Sequence, residues 1–150
     1  MHAVSLTRRV SFSATHRYRR PEWDDAKNEA VFGPCARREH HGHIYTCDVT
    51  VSGPVDETTG MVVDLRALDR ALQSEVVGRF DHRNLNTDIA EFAEGLQVPT
   101  GENLARLIAQ NVQRAIGTGA VVTQVTVAED ATLNSTWRSV SESATWRSSG

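Results

Sequence analysis

His41-Gly42-His43-Ile44-Tyr45-Thr46-Cys47-Asp48-Val49-Thr50-Val51 is the stretch on which the fold turns. It is rich in Val, Thr and Tyr, and Tyr45, Cys47 and Val49 recur at every second position, the period of a strand with one buried face. Cys47 therefore reads as core packing. The same parity points His41 and His43 one way and His40 the other. A lone His-x-His fits a solvated strand end as well as a metal site. Cys35 lies upstream, outside any strand pattern, and is free to do chemistry.

Working outward, Val4 to Thr15 reads as a first strand, with Phe12, Ala14 and His16 on one face. Arg17 to Pro34 is charged and without apolar period, so it is predicted to be a long loop. The second strand closes at Gly53-Pro54, and the two strands are expected to pair antiparallel. Leu65, Leu68, Leu72 and Val76 recur at helical spacing behind Asp64 as N-cap. Gly78 to Pro99 is expected to be irregular. A second helix starts at Thr100, which can cap it, with Glu102 at its positive end and Gly117 as its stop. Leu104, Ile108, Val112, Ala115 and Ile116 form its expected buried stripe. Ala120–Ala128 and Leu133–Val140 read as third and fourth strands. The order β-β-α-α-β-β predicts an α+β fold, a four-stranded antiparallel sheet with two helices on one face. Residues 1–140 are expected to form one domain, and 141–150, small and polar, a mobile tail. Open sheet edges favour assembly.

The 150 residues are 39% hydrophobic and 23% charged with a net charge of −3, which argues against nucleic acid or an anionic membrane as partner. No apolar run reaches membrane-spanning length and the N-terminus lacks a signal-peptide core. Two cysteines without an export signal point to a reducing cytoplasm.

A catalytic zinc takes three protein ligands and leaves a fourth position open. His16, at the end of the strand expected to pair with that of His41 and His43, is the best third ligand. Asp81-His82 is either a turn with a solvated histidine or a proton relay in which Asp81 orients His82. Near a metal or His82, the Cys35 thiol would have a lowered pKa and act as base or nucleophile. Glu129 is either a surface carboxylate or an anchor for a ligand with adjacent N–H donors.

Seven ordered blocks resemble the 6-pyruvoyl-tetrahydropterin synthase family, which includes the bacterial 6-carboxytetrahydropterin synthases. They are Phe12-Ser13-Ala14-Thr15-His16-Arg17, Asn28 to Cys35, His41 to Tyr45, Gly60 to Asp64, Asp81 to Asn86, Pro99 to Ala105 and Val125 to Glu129. The resemblance implies that His16, His41 and His43 bind Zn2+ and that Cys35 is the catalytic thiol. It implies that Asp81 and His82 complete the proton-transfer set, and that Thr100, Glu102 and Glu129 line the pterin pocket. The implied fold is the tunnelling fold, trimers paired into homo-hexamers with active sites between subunits, so Asp81 and His82 would serve a neighbour's Cys35. The implied reaction is a zinc-dependent lyase step on 7,8-dihydroneopterin triphosphate. Five residues between Cys35 and His41 look more like the pyruvoyl branch than the carboxy branch, which also releases acetaldehyde. A non-catalytic pterin- or purine-binding protein is the alternative of another class. Gly101 departs from the Ser or Thr common in the family.

Overall fold

The computed structural model describes residues 3–37 and 39–140; the expected tail at 141–150 lies outside them. Strand β1 (Val4–His16) pairs antiparallel with β2 (His41–Gly53) along its whole length, from Val4 opposite Gly53 to His16 opposite His41. Arg83–Asn84 forms β3, and β2 also pairs with β4 (Val121–Asp130), which pairs with β5 (Leu133–Arg138). The expected antiparallel strands are thus present. The difference is β3, which runs parallel to β1 beside Ala14 and Thr15 and makes a mixed five-stranded sheet ordered β3-β1-β2-β4-β5. Two residues carry no period, so no pattern could reveal that strand.

Parity holds along the buried parts of β1 and β2 and along β4 from Val125, with one break between Val122 and Val125 where the β2–β4 register shifts. Phe12, Ala14 and His16 of β1, Tyr45 to Val51 at alternate positions of β2, and Val122, Val125 and Val127 of β4 are all buried. Burial pushes the Cys47 thiol up to about 12, as suits a core side chain. The opposite face carries cross-strand hydroxyl pairs, among them Thr7 with Thr50 at 2.7 Å and Thr126 with Thr136 at 2.9 Å.

The expected loop at 17–34 instead contains α1 (Asp25–Phe32), capped by Asp24, whose carboxylate accepts the Lys27 N–H at 2.8 Å. A 3-10 turn, Gly33–Ala36, follows. Only Asn28 of α1 is buried, so the helix has no apolar stripe for a period to expose. Asn28 holds it by hydrogen bonds: its Oδ1 accepts the Arg20 N–H at 2.8 Å, and its Nδ2 donates to the Arg20, Trp23 and Asp24 carbonyls within 3.1 Å.

Helix α2 (Leu65–Leu72) is capped by Asp64, which accepts the Arg66 N–H at 2.9 Å. It does not stop at Gly78. A π turn, Gln73–Val77, carries it to a last helical turn, Gly78–Phe80, and Phe80 packs 5.5 Å from the Phe12 ring. A Cβ on Gly78 would stand 2.8 Å from the Gln73 carbonyl oxygen, so the π turn depends on glycine. Replacing an exposed helical Gly by Ala ordinarily stabilises by about 1 kcal/mol. Here the clash reverses the sign: Gly78→Ala is expected to cost roughly 1–2 kcal/mol, read as a lower Tm. An unchanged or raised Tm would refute the π-turn argument. Beyond Phe80, the expected irregular segment holds α3 (Leu85–Asp88) and a 3-10 turn at Ala90–Phe92, with Leu85, Ile89 and Phe92 buried.

Helix α4 (Gly101–Ile116) is capped by Thr100, whose hydroxyl accepts the Asn103 N–H at 3.1 Å, and it ends at Gly117 with φ 75°. Leu104, Ile108 and Val112 face the core, but Ala115 is exposed: the helix turns that side to solvent in its last turn. Both long helices pack on one face of the sheet, with their apolar sides in the same core as the strands. Among the described residues, no helix is long and apolar enough to cross a membrane.

Candidate metal and active site

The antiparallel register that places His16 opposite His41 also brings His43 alongside, because residues 41 and 43 share the face that β1 ends on. One ligating nitrogen from each of His16, His41 and His43 lies within 4.8 Å of the others, and no other metal-ligand cluster occurs among the described residues. His16 is fully buried. Its Nδ1 lies 2.9 Å from the Pro99 carbonyl, with the Tyr45 hydroxyl 3.1 Å away. A carbonyl can only accept, so Nδ1 carries the proton and Nε2 presents its lone pair. That Nε2 faces the His43 Nε2 at 3.1 Å. Neutral, oriented imidazoles converging on one point, one of them fixed by a backbone carbonyl, are what a divalent metal requires.

Burial is the main reason the His16 pKa falls to about 4; the neighbouring histidines add to it. His41 is lowered too, by burial and then by His43. The sign follows from proton counting. Between about pH 6.5 and 4 the unfolded chain binds a proton at His16 and the folded chain does not, so stability rises with pH across that window. The metal-free protein is expected to keep this contribution above pH 6.5 and to lose about 3 kcal/mol of it on acidification to pH 4. Urea unfolding at several pH values, with chelator present, measures it. An acid slope unchanged in His16→Gln would place the sensitivity elsewhere.

Cys35, in the 3-10 turn, is half-buried and lines one cleft with His41, His43 and Glu129. Burial, and secondarily the Glu129 charge, push its thiol up within a single chain. A thiolate there needs a cation close by. Glu129 lies at the far end of β4 and is 8% exposed. Its Oε1 accepts the Tyr18 hydroxyl at 3.1 Å, and its Oε2 lies 3.9 Å from the His43 Nε2. β4 runs beyond the expected Ala128 as far as Asp130, which makes Glu129 a sheet residue rather than a surface carboxylate.

Thr100 and Glu102 flank the N-terminus of α4, Thr100 half-buried and Glu102 exposed. A Cβ on Gly101 would stand 3.9 Å from Glu129 Oε1 and 2.8 Å from Ser135 Oγ, so this helix start abuts Glu129 and β5 occupies the space a side chain would need. Asp81 and His82 lie elsewhere. His82 lines a separate cleft with Ser13, Thr15 and Asn84. Asp81 Oδ1 accepts the Ser13 N–H at 2.8 Å, and the His82 N–H donates to the Ser13 carbonyl at 2.6 Å. His82 adopts φ 58°, in the left-handed region where histidine, with Asn and Asp, is commoner than other non-glycine residues. Its exposed ring points Nε2 toward Asp81 Oδ2 at 3.5 Å. One chain therefore holds the thiol and the Asp81-His82 pair in different clefts.

Three residues that shape the site were given no role by the sequence, although Asn86 and Pro99 lie within the blocks that carry the resemblance. Pro99 supplies a carbonyl, which any residue could. Asn86 grips the chain after His16, accepting the Arg17 N–H at 2.7 Å and donating to its carbonyl at 2.8 Å. Tyr18 follows His16 by two positions and resembles core packing.

A family model described as 6-pyruvoyl tetrahydropterin synthase matches residues 5–139. The Drosophila melanogaster 6-pyruvoyl tetrahydrobiopterin synthase is 44% identical over 108 residues, 72% of this chain and 63% of that protein. The human protein of the same name is 39% identical over 118 residues, 79% of this chain and 80% of its own. The Bacillus subtilis 6-carboxy-5,6,7,8-tetrahydropterin synthase is 34% identical over 88 residues, 57% of this chain and 56% of its own. The solved Caenorhabditis elegans 6-pyruvoyl tetrahydropterin synthase superimposes with a TM-score of 0.86 at 34% identity, covering 93% of this chain and 98% of that one. With the three-histidine cluster, the cleft thiol and the match over nearly its whole described length, the chain belongs to the 6-pyruvoyl tetrahydropterin synthase family of lyases.

Proposed function

We propose that the protein is a zinc-dependent lyase that converts 7,8-dihydroneopterin triphosphate to 6-pyruvoyl-tetrahydropterin with release of triphosphate. The observation that carries this reading is the convergence of His16, His41 and His43 in the cleft that also holds Cys35 and Glu129. Relatives favour the pyruvoyl product: the fly and human pyruvoyl enzymes match at higher identity, over more of the chain, than the Bacillus carboxy enzyme. The five-residue gap between Cys35 and His41 points the same way.

His16, His41 and His43 would hold the zinc, which as a Lewis acid makes hydrogens on the carbons beside bound hydroxyls more acidic. Cys35 as thiolate takes the protons from the two hydroxyl-bearing carbons, and His82, oriented by Asp81, returns protons. Loss of the first, with return to the ring, turns that carbon into a ketone as the ring C=N is reduced; loss of the second expels triphosphate from the next carbon and leaves an enol that becomes the methyl ketone, so oxidation of the side chain balances reduction of the ring. Triphosphate departs by elimination. Glu129 accepts the adjacent N–H donors of the pterin ring, with Thr100 and Glu102 at the pocket rim. Because Asp81 and His82 sit in another cleft of the same chain, the pair serves the Cys35 of a neighbouring subunit. The assembly we favour is a homo-hexamer, which also covers the edges left open along β1 and β5. Two thiols, Cys35 half-buried and Cys47 buried, suit the cytoplasm. Residues 1–140 act as one domain on this reading.

The test is to incubate the zinc-loaded protein with 7,8-dihydroneopterin triphosphate and weigh the products. Triphosphate with a pyruvoyl pterin is the expected result. Acetaldehyde would move the protein to the carboxy branch, and unchanged substrate would leave a non-catalytic pterin binder.

A further inference from the structure

We propose that Tyr18 is a positioning residue that aims the Glu129 carboxylate and thereby sets which heterocycle the cleft accepts; this rests on the reading of Glu129 as the pterin anchor. Glu129 is almost fully buried, and a buried carboxylate needs donors. The Tyr18 hydroxyl supplies one to Oε1 at 3.1 Å. A carboxylate oxygen has two acceptor sites, so Oε1 keeps one for a ligand and Oε2 is left for the second N–H of a donor pair. Such pairing works only if the carboxylate plane coincides with the ligand plane. The Tyr18 bond fixes rotation about the last torsion of Glu129, which otherwise is broad.

Tyr18 can do this because it is itself held on three sides. Its backbone N–H donates to the Cys35 carbonyl at 2.9 Å. Its ring meets His16 edge-on at 5.0 Å and Phe32 edge-on at 5.9 Å. One residue thus ties the end of β1, the turn carrying the thiol and the tip of β4 into a single geometry, the turn through its backbone and the rest through its side chain. A phenol is protonated at neutral pH and an ionised carboxylate can only accept, so the Tyr18 hydroxyl is the donor.

Tyr18→Phe keeps the ring contacts and removes the hydroxyl, so zinc content is expected to stay at the wild-type value, while the Tm of the ligand-free protein falls because the buried Glu129 carboxylate loses a donor. The probes are neopterin and its 2-oxo analogue, which presents a carbonyl where neopterin presents an amino group. Wild type is expected to prefer neopterin. Tyr18→Phe is expected to bind neopterin roughly 10-fold more weakly and the analogue unchanged, as loss of a hydrogen bond to a charged group predicts. In turnover, KM should rise by a similar factor with kcat little altered, because the anchor is equally engaged in ground and transition states. Added to Glu129→Gln, the substitution should cost nothing further. If Tyr18→Phe changes both ligands equally, or neither, while wild type still prefers neopterin, the inference is overturned and the Glu129 anchor stands. If wild type shows no preference, the anchor itself falls and the inference with it.

Discussion

Cys35→Ala is expected to lower kcat by about 10²–10⁴-fold, the usual contribution of a positioned proton-transfer group, while zinc binding and folding persist. The separation is possible because the thiol is not among the three converging ligands and sits half-buried in a 3-10 turn. What holds that turn is backbone: the Tyr18 N–H bonds the Cys35 carbonyl, which the substitution leaves in place. Removing one partly exposed sulfur therefore has little structural consequence. Triphosphate release, metal analysis and a melting curve on the same preparation check all three statements. Turnover within tenfold of wild type would place the base elsewhere.

His16→Ala is expected to abolish zinc binding and turnover and also to destabilise the fold by about 2–4 kcal/mol. Two losses combine. The fully buried ring leaves a cavity among Tyr18, His41, His43 and Tyr45, and the Pro99 carbonyl loses its donor. For a chain of this length the shift in Tm is roughly 4–16 °C. His43→Ala is the contrast. Its ring is partly exposed, so zinc is lost with much less change in Tm. Metal content and Tm measured on both variants distinguish a ligand that is also core from one that is only a ligand. Wild-type zinc content in His16→Ala would remove it from the ligand set.

Legibility followed the range of the interaction. The period-two runs of β1, β2 and β4 and the helical spacing of Leu68, Leu72 and Val76 were readable because one buried face imposes a local repeat, whereas Leu65, at the same spacing, is exposed. The end of α2 was misplaced because glycine ordinarily terminates a helix, and here a π turn needs one. Helix α1 was missed because Asn28 anchors it through hydrogen bonds instead of an apolar stripe. Strand β3 was missed because two residues have no period.

By itself the sequence determined which residues share a face: His41 with His43, and His16 with Phe12 and Ala14, since parity is a property of the extended backbone. Only the tertiary structure decided what completes them. The Pro99 carbonyl that orients His16 is 83 residues away, and the Glu129 carboxylate that meets Tyr18 is 111 residues away. It also decided that His82, with Asp81 beside it, lines a different cleft from Cys35. Side-chain periodicity is set within a few residues, whereas these partners meet only after the sheet and helices have packed, so no local pattern records them.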